Sequence, residues 1–187
     1  MQKHVKYLGV FGGGLLALTA LNVVYGGGLS HWGILPRQLS GLTGIVFAPV
    51  LHASWSHFFG NILSFYVLSF FLFQFGAARY YRVLFVSWIL TGFAVWLFAR
   101  AHYHIGLSGV IYSLWAYLLV YGVLRKSIKS AAIALVVVLI YGSFIWGVFP
   151  AQRWMSFESH LFGALIGGYF GFFYARRDKC RADKVVG

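Results

Sequence analysis

Six runs of mostly apolar residues constrain this chain more than any other feature, because each is close to the length a helix needs to cross a bilayer. They fall at 7–25, 57–75, 80–99, 106–124, 131–149 and 157–175. A hydrocarbon core takes about 20 residues of helix to span. The expectation is therefore an all-α membrane protein, a single domain with six transmembrane helices and a basic tail at 176–187. Composition agrees: 10% of the 187 residues are charged, whereas a soluble domain carries about a quarter. The first run follows Lys3 and Lys6 as the core of a cleaved signal peptide would. Its length and the lack of a clear small-residue cleavage site favour a retained span.

The formal net charge is +12, yet the distribution of the charges excludes nucleic acid as a partner. They sit in short clusters between apolar runs, with no basic stripe interleaved with aromatics. Lys3, Lys6, Arg79, Arg82, Arg125, Lys126 and Lys129 fall with the five basic residues of the tail on one side of the six-span topology. Arg37, Arg100 and Arg153 alone fall on the other. The positive-inside rule then puts both termini in the cytoplasm. The longest loop, Gly26 to Ser56, lies outside and is apolar enough to rest in the outer interface. Pro36 and Pro49 argue against a seventh continuous helix there. Cys180, the single cysteine, can form no intrachain disulfide and reads as a plain tail residue rather than a palmitoylation site.

Polar residues inside a membrane are costly and are candidates for function. Spans two, four and six run in the same direction, so their first residues share a depth near the outer face. Span two opens with His57 and Asn61, with His52 just before it. Span four opens with Gly106-Leu107-Ser108-Gly109, and span six has Ser159-His160 in its first turn. A hydroxyl, an imidazole and amide donors at one level are what nucleophilic catalysis requires. Gly106 and Gly109 let backbone and substrate come close to Ser108. A helix N-terminus offers unpaired N–H groups and positive potential to an oxyanion. Tyr112 lies one turn below Ser108 on the same face, where it can pack on an imidazole. His57 and Asn61, at i and i+4, share a face and are candidate oxyanion donors. Gly163, Gly167 and Gly171, with Ala164 and Gly168 as a parallel row, permit close helix approach and can bring His160 to Ser108.

On these residues the chain resembles the rhomboid intramembrane serine proteases, in their small bacterial six-span form. The pieces are His52-x4-His57-x3-Asn61, Gly106-Leu107-Ser108-Gly109 with Tyr112, and His160-x-x-Gly163 with its glycine ladder, over roughly Ile34 to Ala175. The resemblance implies a rhomboid-like bundle in which Ser108 is the nucleophile and His160 the general base of a dyad without an acid. It assigns His57, Asn61 and the Ser108 N–H to the oxyanion, and Tyr112 to a stack on His160. It implies single-span membrane proteins as substrates, entering beside the second and fifth spans, and a cap at Pro150–Phe157. No cofactor or metal is implied. One departure stands out: many rhomboids carry Trp-Arg in the first outer loop, where this chain reads Gly41-Leu42-Thr43-Gly44-Ile45, so its loop must be anchored differently.

Blander readings compete. A lone serine at a helix start is usually a cap or a packing residue; it is the conjunction with His160 and Asn61 that favours catalysis. His57 and Asn61 also suit plain interhelical hydrogen bonding, and His52 suits bracing of the loop. His102 and His104 read as interfacial loop residues, and His4 and His31 as surface ones. Glu158 reads as a complement to its helix dipole. Gly12-Gly13-Gly14 reads as a packing surface. The competing functions are a catalytically inactive rhomboid-like protein that binds membrane helices, and a histidine-based metal or haem protein. The second lacks a His-Glu-x-x-His motif and acidic ligands.

Overall fold

The structure is a computed structural model that describes residues 2–150 and 155–186. It is a helical bundle: α1 (Gln2–Val24), a one-turn α2 (Gly44–Phe47), α3 (Trp55–Phe73), α4 (Ala77–Phe98), α5 (Ser108–Arg125), α6 (Ile128–Tyr141) and α7 (Phe157–Val186). Among the described residues the extended pairing is a single antiparallel bridge, Ile34 to His104. In lipid the backbone has no water to bond, and helices alone satisfy it within one segment.

Among the described residues five stretches are long and apolar enough to cross a membrane by composition: α1, α3, α4, α5 and Ile128–Val148, where α6 tightens into 3₁₀ turns over Gly142–Val148. The expected sixth, α7, is not among them. Its first turn carries Glu158, Ser159 and His160, and it continues as helix through the basic stretch assigned from sequence to a tail. What holds α7 in the bundle is its fit to α5, the most buried helix. A Cβ on Gly163 would overlap the carbonyl of Gly109, and one on Gly167 the carbonyl of Ser113. On Gly171 it would come within 2.8 Å of the Tyr117 carbonyl. The two ladders thus meet rung for rung, backbone on backbone. Gly168 also faces α5, but it meets the Val120 side chain at an ordinary 3.7 Å and is not one of the backbone rungs.

At the far end of the seam a polar clasp closes the bundle. Arg79 on α4 donates to both oxygens of Asp178 on α7, at 3.1 and 2.8 Å, and Tyr121 on α5 donates to Asp178 Oδ2 at 2.7 Å. The Arg79 guanidinium also lies over the Tyr174 ring, 4.6 Å from its centroid.

Helix α1 rests on α3 through a side chain rather than backbone on backbone. A Cβ on Gly12 would overlap the Tyr66 hydroxyl, which donates to the Leu8 carbonyl at 3.1 Å. Gly13 and Gly14 have nothing near them, so one glycine of the three does the packing.

The first loop folds into 3₁₀ turns and α2, a short apolar helical run over Leu39–Val50. Its anchoring without Trp-Arg comes from α4. Trp96 Nε1 donates to the Gln38 carbonyl at 2.9 Å and Trp88 Nε1 to the Ile45 carbonyl at 3.1 Å. Arg37 Nη1 donates to the Ala99 carbonyl at 2.8 Å, just past the α4 C-terminus. Leu39 and Trp32 remain 81% and 54% exposed, apolar surface that suits an interface with lipid.

Candidate active site

Ser108 begins α5, so its backbone N–H belongs to the first turn, where no intrahelical acceptor exists. The sharp entry into that helix depends on Gly106, whose φ is +113°, a conformation open to glycine and costly for other residues. A Cβ there would also stand 2.5 Å from His57 Nε2 and 3.5 Å from Asn61 Nδ2. His57 and Asn61 on α3 therefore converge on the turn that precedes Ser108. Asn61 is 8% exposed and its Nδ2 has no protein acceptor. Such an orphan donor costs free energy, which makes it notable beside the candidate nucleophile Ser108.

His160, in the first turn of α7, lies with its Nε2 2.9 Å from Ser108 Oγ. Its other nitrogen is 3.0 Å from the carbonyl of Gly147. A carbonyl only accepts, so Nδ1 carries the proton and Nε2 keeps a lone pair facing the serine hydroxyl. Tyr112 stacks on the ring with centroids 4.1 Å apart and planes 5° apart, and Phe144 stacks on Tyr112 from the other side at 5.0 Å. The imidazole is thus fixed in plane by aromatic contact and in tautomer by one hydrogen bond. Gly109 completes the seat: a Cβ there would press on Thr91 at 3.0 Å and on the Ser159 carbonyl at 3.1 Å.

The structure brings together Ser108, His160, Tyr112, His57, Asn61, Gly106 and Gly109. His52 stands behind them, 1% exposed, its ring edge-on to His57 with centroids 5.0 Å apart. Of the cap proposed at Pro150–Phe157, residues 151–154, Arg153 included, lie outside the described residues.

Several participants were not read from the sequence. Gly147 lies in the 3₁₀ end of the α6 span, in no motif, yet it supplies the acceptor for His160. A Cβ on it would overlap the Tyr112 hydroxyl. Glu158 does more than face its helix dipole: it is 5% exposed and pairs with Arg100, whose Nη2 donates to Oε2 at 3.1 Å. His104 is likewise no interfacial residue; it is 1% exposed. Burial pushes its pKa down to about 4, so the ring is neutral. Its Nε2–H donates to the Arg100 carbonyl at 3.0 Å, and Nδ1 accepts from Ser156 Oγ at 2.6 Å. These contacts clip the loop after α4 onto the start of α7, one turn from His160. A signal existed in the sole acidic residue near the motif, but its partner Arg100 is 58 positions away. His102, His104 and Glu158 offer donor atoms within 4.8 Å of one another. Both nitrogens of His104 are engaged, however, and Arg100 covers the carboxylate, so the cluster is built as a hydrogen-bonded clip and does not fit a cation.

With this geometry in view, comparison with known proteins is informative. The family model described as Rhomboid domain matches residues 39–177. The chain belongs to the rhomboid family. Rhomboids are in general serine intramembrane proteases, and the long apolar helices make this one an integral membrane protein. Among its relatives are uncharacterised proteins of Mycobacterium bovis and Mycobacterium tuberculosis, each 32% identical over 94% of this chain and 81% of the relative. An uncharacterised protein of Mycobacterium leprae is 34% identical over 85% of this chain and 67% of its own. The identity and coverage establish kinship, and the relatives' names say nothing of activity. All three motifs of the dyad and its surroundings fall inside the rhomboid match, while α1 lies before it.

Proposed function

We propose that this rhomboid is an active intramembrane serine endopeptidase that cleaves single-span membrane proteins near the outer face of the bilayer. One observation carries the reading: a serine hydroxyl 2.9 Å from an imidazole nitrogen whose ring partner already donates to a carbonyl. That pair is oriented for proton transfer in one direction. Ser108 Oγ attacks the scissile carbonyl carbon as its proton passes to His160 Nε2. The imidazolium that forms keeps its Nδ1–H on Gly147, and Tyr112 keeps its plane. Negative charge builds on the former carbonyl oxygen, where the Ser108 N–H, Asn61 Nδ2 and His57 supply donors. His160 then gives its proton to the leaving amine, and the C–N bond breaks to leave an acyl-serine. A water then attacks the acyl carbon as its proton passes to the same nitrogen. The C–Oγ ester bond breaks, and His160 returns that proton to Ser108 Oγ as the second product leaves as a carboxylic acid.

Both termini are cytoplasmic in this reading, in the inner membrane of a bacterium, as the twelve-to-three partition of basic residues favours. Substrate helices enter from the bilayer beside α3 and α6.

The test uses a fluorophosphonate probe on the purified full chain in lipid. Labelling and substrate cleavage are both expected, and Ser108→Ala abolishes both while leaving the fold intact. A folded wild type that neither labels nor cleaves sinks the enzyme and leaves a rhomboid that binds membrane helices without cutting them.

A further inference from the structure

Helix α1 precedes the stretch matched by the Rhomboid domain, yet one of its side chains reaches behind the site. Asn22, in the last turn of α1, is 0% exposed. Its Nδ2 donates to the His52 carbonyl at 3.0 Å and to Ser30 Oγ at 3.3 Å. Its Oδ1 accepts from the Leu29 backbone N–H at 2.9 Å. One amide thus joins the beginning of the long first loop to its end.

We propose that Asn22 is a positioning residue for the oxyanion side of the site, acting through His52 on His57. The His52 ring is buried with neither nitrogen bonded to protein, so packing and its own backbone determine where it sits. It stands edge-on to His57 at 5.0 Å and to Phe58 at 5.7 Å. The Asn22 bond holds the backbone of that same residue. Release of the His52 carbonyl lets the ring shift, and the ring that leans on it is one of the two side chains converging on Gly106. Errors on the order of an ångström in a catalytic group cost up to about 10²-fold in rate. Helix α1 itself does not depend on Asn22. The Gly12–Tyr66 fit, the Tyr66–Leu8 bond and the buried Leu15 secure it to the bundle farther along.

The inference rests on the protease reading, and its test separates the two. Full-length wild type and Asn22→Leu are compared in liposomes with a single-span substrate. The expected result is a fall in kcat of about tenfold with KM nearly unchanged and the same fraction of sites labelled by fluorophosphonate. A purely structural role would instead reduce the labelled fraction and leave kcat per labelled site alone. In a His52→Ala background, Asn22→Leu should change kcat no further, because the ring that transmits the shift is gone. If the leucine variant does not fold, Asn22→Asp keeps the acceptor for Leu29 and removes the donor to His52. Wild-type turnover per labelled site, or losses that simply add in the double variant, overturn the proposal. If the wild type is inert, the enzyme reading fails first. The ¹⁵N shifts of His57 then decide: movement in Asn22→Leu supports the tie, and unchanged shifts reject it.

Discussion

At one end of the α5–α7 seam Ser108 and His160 share a single hydrogen bond, with Asn61 Nδ2 and both nitrogens of His52 left without protein partners nearby. At the other end Asp178 accepts from Arg79 and Tyr121 on both oxygens, and aromatic rings cover the cation. The same two helices run through both places. One end is saturated and contributes rigidity. The other keeps donors in reserve, which costs stability and, in the proposed reaction, leaves room for a charge that develops only as the bond is cut. Between them the glycine contacts make the seam rigid enough for one end to hold its geometry while the other closes.

Four substitutions sharpen or break this division of labour. The largest effect is expected from Gly167→Val in the middle, where added carbons overlap the Ser113 carbonyl. The helices must separate, so cleavage should fall below detection and the melting temperature should drop as well. Retention of both would show that the seam is not what couples the ends. Next comes Asn61→Ala at the open end. If the amide is an oxyanion donor, kcat falls by about 10²–10³-fold, and the melting temperature stays level or rises, because a buried orphan is removed. Third is Gly147→Ala, whose methyl overlaps the Tyr112 hydroxyl and lies 3.2 Å from His160 Nδ1. About a tenfold loss of kcat is expected, and Tyr112→Phe in the same chain should recover part of it by removing the overlapping oxygen. No recovery would mean that the backbone at residue 147, rather than the ring stack, had moved.

The smallest effect on activity belongs to the closed end. Asp178→Asn should lower stability by about 1.5–3 kcal/mol, the usual worth of a hydrogen bond to a charged group, and leave kcat unchanged. Burial alone would raise the Asp178 pKa, but the Tyr121 hydroxyl and the Arg79 guanidinium more than offset it and hold it below the ordinary 3.8. A carboxylate with a depressed folded-state pKa contributes stability that is present above 3.8 and lost as pH falls through the lower folded value. The melting-temperature gap between wild type and Asp178→Asn should thus be constant near neutrality and close only in strong acid. A gap that closes near pH 6 would contradict the assignment to Asp178.

The sequence carried the long helices, the meeting of Ser108 and His160 at one level of the bundle and the glycine rungs, because each rests on a periodic or local pattern. Hydropathy runs reveal spans, and a four-residue recurrence reveals a close-packed face. It was less informative about α7: the apolar run at 157–175 was legible, but the helix that contains it has a polar first turn and a basic end, is not among the stretches apolar enough to span, and depends on its neighbour for its place. It was silent on Gly147, on the Arg100–Glu158 pair and on the tie between Asn22 and His52. Those are single contacts between loops or helix ends, far apart in the chain, and no recurrence announces them. The misread His104 belongs to the same group: a histidine in a loop looks solvated until Ile34 pairs with its backbone and Ser156 with its ring. The first loop shows the limit from the other direction. Its missing Trp-Arg signalled a different attachment, and the replacements proved to be tryptophans of α4 reaching its carbonyls.

The carbonyl of Gly147 has one more implication. It belongs to a helical stretch whose outer face is largely bare of protein, with Leu139 75% and Trp146 70% exposed. The proton that decides which way the imidazole can work is therefore steadied by a peripheral piece of chain rather than by the central helix that bears the nucleophile. A displacement of that margin would reach the chemistry as a change in where one hydrogen resides, before any catalytic side chain had left its place.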